Sequence, residues 1–363
     1  MRRFENPILV TRPYLPPLDE FRAGLEEVWR NQWLTNNGPV VQRFHAELAR
    51  YLGVSEGNLA LFSNGTLALE LGYQAMGLAG GDVITTPFTF VATSHALKRI
   101  GATPVFADID PETLCLSPEA AERMITSRTR AIVPVHVYGI ACDIEGFRKL
   151  SERYGVKVVY DAAHAFGVKG LVDAGDMSMY SFHPTKLFHS CEGGLLVFKD
   201  AALQEALFDL RNFAIHGETE CKDVGSNAKM NELQALMGLE CLKHIDEMLA
   251  HRREVFDAYS GELSDCPSVK LLPHSENKSY VPVLFKDFET RERVYEALLS
   301  RCNVYSRRYF YPLLTEFAPY LYAKGTCPVA ADAARRVLAL PTYHSLDVDS
   351  VRDIAKAVKE LAS

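Results

Sequence analysis

Between about residue 58 and residue 200, short apolar runs alternate with amphipathic stretches, and this alternation constrains the chain more than any other feature. The runs at 58–62, 82–86, 103–107, 130–135 and 156–160 have the length and β-branched content of strands. Between them, residues 66–75, 91–100 and 144–154 carry helix-type spacing of apolar residues. Parallel strands need a long crossover between them, so the pattern predicts a mostly parallel sheet covered by helices on both faces. Two further runs, 177–182 and 194–198, are about eleven residues apart, which is short for a helical crossover. They are expected to extend the same sheet, with one member antiparallel.

Beyond Lys229 a helix-favouring stretch runs over 232–263. Leu233, Leu236, Met237, Cys241, Leu242, Ile245, Met248 and Leu249 recur at the steps of one helix face. The spacing predicts one long helix joining two domains and ending near 265–267. From about 268 onward a strand at 280–285 and helices at 290–300 and 351–361 read as a smaller α/β lobe. The division expected is a large domain over 1–245, including the N-terminal segment, and a small domain over 246–363.

Charge and cysteine usage narrow the function. With 39 Lys+Arg against 46 Asp+Glu, the net charge of −7 argues against nucleic acid as a partner. A bound phosphate must therefore be gripped locally, by oriented amides or a few placed side chains. No run approaches the roughly 18 apolar residues of a membrane span, and Glu5 and Pro7 interrupt any signal-type start. The eight cysteines are scattered without a C-x-x-C pair. They read as free thiols in a reducing cytoplasm, with no metal cluster.

Three short segments carry chemistry. Ser63-Asn64-Gly65-Thr66 lies between a predicted strand and a helix, where free N–H groups and the positive end of the helix dipole suit an anion. Such a turn can also do no more than cap its helix. Asp161 follows the run 156–160, with Ala162, Ala163 and His164 after it. Ligands in open α/β sheets gather beyond the carboxyl ends of strands, and small residues beside an acid let a flat ring approach; an ordinary N-cap is the alternative. Lys186 follows the run 177–182 on a turn bearing Phe182, Leu187 and Phe188. Desolvation there would disfavour the ammonium, as an imine-forming lysine requires. An acid to hold a pyridinium and a lysine to form an imine are the two groups a pyridoxal phosphate site needs.

At this point the sequence resembles the DegT/DnrJ/StrS sugar aminotransferases over essentially its whole length. The resemblance rests on blocks in the right order: 33–39, 63–66, 87–93, 106–110, 136–139, 161–167, 181–186, 192–194 and 225–235. It implies an α/β fold of the aspartate-aminotransferase type (fold type I). Such a fold has a large domain with a mostly parallel, seven-stranded mixed sheet and a smaller C-terminal α/β domain. It implies pyridoxal 5'-phosphate bound as an imine to Lys186, with Asp161 on the pyridine nitrogen. Gly65, Thr66 and Ser181 match phosphate-binding positions. Phe90 matches the aromatic stacked on the ring and His164 the position beside it. Asn227 matches an asparagine that reaches the phosphate from the neighbouring subunit, implying a homodimer with shared sites. Lys229 stands where the family commonly has Arg, which keeps the charge but loses the bidentate fork.

Relatives that dehydrate sugars carry His where this chain has Lys186, so transamination is implied, with L-glutamate as amino donor. The segments 13–18, 33–39 and 306–312 look most like those of enzymes that aminate dTDP-4-keto-6-deoxy-D-glucose for O-antigen or other glycoconjugates. A 3-keto-sugar acceptor remains the alternative, and so does a non-catalytic, cofactor-binding regulator. Arg307 and Arg308 are candidates for the sugar diphosphate, or else a solvated pair. Tyr309 and Tyr311 are candidates for the sugar pocket, or else core residues. No strand is followed by G-x-G-x-x-G, which counts against a plain dinucleotide-binding protein.

Overall fold

A computed structural model of the chain describes residues 1–273 and 275–363. Seven strands build the central sheet: β1 (Leu59–Phe62), β2 (Asp82–Thr85), β3 (Thr103–Phe106), β4 (Thr129–Val133), β5 (Lys157–Asp161), β6 (Met177–Ser181) and β7 (Gly194–Phe198). Their order is β1-β7-β6-β5-β4-β2-β3. β7 runs antiparallel to both its neighbours, and the remaining pairings are parallel. Side chains alternate between two buried faces, as a covered sheet requires. Val158 and Tyr160 enter one core cluster, and Val159 enters the other.

The connections decide where a site can form. The C-terminal ends of β1, β5 and β6 share one edge of the sheet, because β1 and β6 both oppose β7. β7 begins directly under the turn that follows β1. A Cβ on Gly194 would lie 2.4 Å from the Asn64 carbonyl oxygen, so this crossing needs a residue without a side chain.

A short hairpin, β8 (Ile215–His216) and β9 (Glu220–Cys221), stands at the surface. The second lobe has an antiparallel sheet of β10 (Val269–Leu271), β11 (Val281–Phe285) and β12 (Val337–Leu340). The helices Phe288–Ala297 and Val348–Ala362 bury apolar residues in the same core. The start of the chain returns to this lobe. The Phe4 N–H donates to the Cys302 carbonyl at 3.0 Å, Ile8 bridges Val304, and the Phe4 ring is part of the lobe's core.

The single helix expected over 232–263 is two helices, Glu232–Lys243 and Ile245–Leu263, broken at His244 (φ −108°, ψ 12°). The two halves have different surroundings. The first packs on the helices Leu18–Asn31 and Pro39–Leu52, the second on Val348–Ala362. Residues 235–241 are buried without interruption, and Leu233 is exposed, so the one-face periodicity does not describe this element. His244 also lies 3.1 Å from Glu20, which anchors the break to the N-terminal helix. All eight cysteines are free thiols. Among the described residues no helix is long and apolar enough to cross a membrane.

Candidate active site

The strand edge opens into a cleft of about 780 Å³. Nine of the predicted residues line it: Gly65, Thr66, Phe90, Asp161, His164, Ser181, Lys186, Arg307 and Tyr309. Each arrives by a local structural cause.

Asp161 ends β5 and is only 4% exposed. Its Oδ2 accepts the Thr93 hydroxyl at 2.8 Å and its Oδ1 accepts the Ala163 N–H at 3.1 Å. Thr93 in turn lies 2.8 Å from the Thr89 hydroxyl. No cation among the described residues lies within ion-pairing distance of this carboxylate. Burial pushes its pKa above the usual range, against the hydrogen bonds and the Lys186 charge, which pull it down. A buried acid short of a positive partner is a built-in receptor for one.

Lys186 sits on a turn closed by its own N–H, which donates to the His183 carbonyl at 2.9 Å. Phe182, Leu187 and Phe188 do not wall in the ammonium; they are buried in the core beneath it. Phe188 stacks on Phe166 at 4.4 Å and meets Phe182 edge-on at 4.9 Å. The aromatic residues therefore fix the turn, and Lys186 projects from it half-buried. Its amine has no hydrogen-bond or ion-pair partner among the described residues.

The helix Gly65–Ala75 starts at the same edge. Asn64 caps it by accepting the Leu67 N–H at 2.9 Å, which leaves the Gly65 and Thr66 N–H groups free at the cleft. A Cβ on Gly65 would lie 3.2 Å from the Cβ of Ser181, so the helix start and that hydroxyl are held side by side. Phe90 is 49% exposed at the opening. A ligand with a cationic ring atom, a phosphate and a carbonyl would meet the acid, the helix start and the amine in turn. Pyridoxal phosphate has all three, so the residues present fit that group.

Four predicted residues lie outside the cleft. Arg308 turns the other way, pairing with Glu292 at 2.9 Å and covering the Tyr295 ring at 3.8 Å. Tyr311 packs on Phe288 at 6.0 Å and beneath Arg291 at 4.6 Å. Of the arginine pair, only Arg307 faces the site. Lys229 donates to the Asn212 side chain at 2.6 Å in a separate hollow that Asn36 and Asn37 also line. Asn227 is exposed beside it and bridges Asn212 through the backbone.

Three residues that matter here carried no individual signal in the sequence. Thr93 was one letter in a block, yet it holds Asp161. Tyr138 donates its backbone N–H to His164 Nδ1 at 3.1 Å. Asn277, fully buried and from the segment before β11, donates to the carbonyls of His164 at 2.9 Å and Phe166 at 2.8 Å.

Sheet order, a C-terminal α/β lobe and an acid–lysine–helix-start cleft define an enzyme of fold type I, the aspartate-aminotransferase-like class. Comparison with known proteins narrows this. Residues 18–359 match the model of the DegT/DnrJ/EryC1/StrS aminotransferase family, and the chain belongs to that family. It is 41% identical to a dTDP-4-amino-4,6-dideoxy-D-glucose transaminase of Shigella dysenteriae, over 98% of this chain and 100% of the relative. A transaminase of the same name from Escherichia coli is 39% identical, over 97% of this chain and 98% of the relative. The solved structure of DesI with its TDP-sugar product superposes with a TM-score of 0.93 at 36% identity, covering 100% of this chain and 94% of that one.

Proposed function

We propose that the protein is a pyridoxal phosphate-dependent aminotransferase of nucleotide-linked sugars. In this reading it moves an amino group from L-glutamate to dTDP-4-keto-6-deoxy-D-glucose in the cytoplasm. The observation that carries it is the buried Asp161, without an ion-pairing cation among the described residues, sharing one cleft with the Lys186 amine, which has no partner among them either. The identity of about 40% to two transaminases of that product supports the substrate. The product would serve surface polysaccharide or other glycoconjugate synthesis.

The cofactor, when bound, supplies an electron sink that stabilises negative charge beside the amine. The chain's own residues do the rest. The Gly65 and Thr66 amides with the Ser181 hydroxyl bind the phosphate. Asp161 keeps a proton on the ring nitrogen, and Thr93 keeps Asp161 oriented. Lys186 Nζ takes the α-proton from the amino acid and later delivers one to the amine-bearing carbon of the sugar. Arg307 supplies positive charge where an anionic substrate enters. A homodimer with shared sites gives Asn227 and Lys229 their task, since both are outside the cleft of their own chain.

The test is incubation with glutamate and a panel of dTDP-, UDP- and GDP-linked keto-sugars, with the aminated carbon assigned by NMR. Amination at C4 of the dTDP sugar is expected; amination at C3 would transfer the assignment to the 3-keto class. Lys186→Ala should fold and lose turnover by at least about a hundredfold, the low end for a lost acid–base group. A protein that takes up no pyridoxal phosphate at all would overturn the enzymatic reading.

A further inference from the structure

We propose that Tyr138 is a positioning residue that fixes His164 as a neutral imidazole with its proton on Nε2, a permanent hydrogen-bond donor to an oxygen acceptor on the ligand above Asp161. The inference deepens the cofactor reading and rests on it for the ligand, though the geometry stands without it.

Tyr138 lies in the turn Val137–Gly139 with φ 58° and ψ 11°, the left-handed region that a bulky residue seldom adopts. Its surroundings hold it there. The side chain is 1% exposed, the hydroxyl donates to the Tyr309 carbonyl, and the ring packs against Phe88, Tyr280 and Phe310. Gly139 follows at φ 85°, and a Cβ there would be 2.8 Å from the His164 carbonyl oxygen, so the turn is pressed onto the His164 segment. Asn277 holds the same carbonyl from the opposite lobe.

The consequence is a matter of donors and acceptors. A backbone N–H can only donate, so His164 Nδ1, 3.1 Å away, must present its lone pair. In the neutral ring the proton then sits on Nε2. Nε2 has no partner among the described residues, and His164 lines the cleft, which leaves the donor available to a ligand. The groups facing the ring are Tyr138, Tyr280, Tyr309, Asp161, Lys186 and Arg307. Burial and the charges of Lys186 and Arg307 all disfavour the imidazolium.

The experiment uses full-length, cofactor-free protein labelled with ¹⁵N-histidine, read by two-bond proton–nitrogen correlation. The His164 signals are assigned by their absence in His164→Gln. A neutral ring protonated on Nε2 is expected throughout about pH 5–8, the range in which an ordinary histidine titrates. A proton on Nδ1, or titration to the doubly protonated ring in that range, would overturn the proposal. Tyr138→Phe keeps the N–H and should keep the tautomer; a tautomer change there would also overturn the backbone assignment. Binding of pyridoxal phosphate supplies the second measurement. Glutamine offers the same acceptor and donor, so His164→Gln should hold the cofactor about 2- to 10-fold more tightly than His164→Leu, the worth of one hydrogen bond. Equal affinities would count against a donating His164. The NMR arm needs no cofactor, so a protein that binds none would fail the functional reading and leave the tautomer result intact.

Discussion

The side chain with the most to explain is Asp161, an acid that burial makes unfavourable to ionise in the protein alone. Its folded pKa is raised above the ordinary carboxyl value of about 3.9, so the native state binds more protons than the unfolded state between the two. Stability of the cofactor-free protein therefore falls as pH rises through that window, and in the proposed function the cation of the cofactor ring would offset that cost. Asp161→Asn should remove this loss. An asparagine can still accept the Ala163 N–H and donate to Thr93, so the variant is expected to melt at least as high as wild type at pH 7 without cofactor. The difference should close on acidification. Pyridoxal phosphate affinity should meanwhile fall about ten- to a hundredfold, as for a lost hydrogen bond to a charged group. Thermal melts against pH and a cofactor titration check both halves; a destabilised cofactor-free variant would show that Asp161 is already compensated. Asp161 and Lys186 were legible in the sequence because an acid and a lysine after apolar runs are unusual residue types in a place where ligands gather. Thr93, Tyr138 and Asn277 were not. They act through hydrogen bonds to residues 68, 26 and 113 positions away, and nothing local in the chain marks such a partnership.

Among the elements, the strands were the readable part. The runs at 58–62, 82–86, 103–107, 130–135 and 156–160 all became strands of the sheet, because a strand buried on both faces is apolar over most of its length, with polar residues mainly at its ends. The antiparallel member foreseen from the short 177–198 interval is β7. The break at His244 was hidden, since the apolar spacing of two consecutive buried helices reads as one. What the sequence could not convey is how tightly elements cross. Gly194, at the start of β7, lies under the helix start that offers free amides to the cleft. With a Cβ 2.4 Å from the Asn64 carbonyl, Gly194→Ala must displace a backbone atom, not a flexible side chain. It should cost about 1–3 kcal/mol, the usual range for overpacking, and weaken phosphate-containing ligands most. Inorganic phosphate competition against pyridoxal phosphate reads that selectivity directly. Asn277→Ala tests a second junction. It leaves two buried carbonyls unpaired and should cost about 2–4 kcal/mol, seen as a lower urea midpoint at unchanged slope. A neutral result would mean that water replaces the amide there.

At the level of the whole molecule, one chain supplies most but not all of the proposed site. Asn227 is exposed, Lys229 lies 4.9 Å over the ring of exposed Phe213, and exposed Trp33 and Leu34 precede the Asn36–Asn37 wall of the hollow that Lys229 also lines. Large apolar side chains clustered about polar ones mark an interaction surface, and a second copy of the chain is the partner this reading requires. A two-fold dimer is self-complementary, so each subunit would lend its Asn227 to the cleft holding its partner's Lys186. Lys186→Ala and Asn227→Ala should then each be impaired as pure proteins. Mixed, unfolded together and refolded in equal amounts, they should form hybrid dimers. In each hybrid one cleft carries both substitutions and the other carries neither. With random assortment half the dimers are hybrids, so turnover should recover to about a quarter of wild type. Recovery no greater than the average of the two separate variants would place Asn227 in its own subunit's business and remove the case for shared sites. A monomeric wild-type protein in solution would remove it sooner. The net charge of −7 fits the same proposal: an acidic surface disfavours polyanions at large, while in the proposed function the anions would be met by helix-start amides, Arg307 and groups brought by a second subunit.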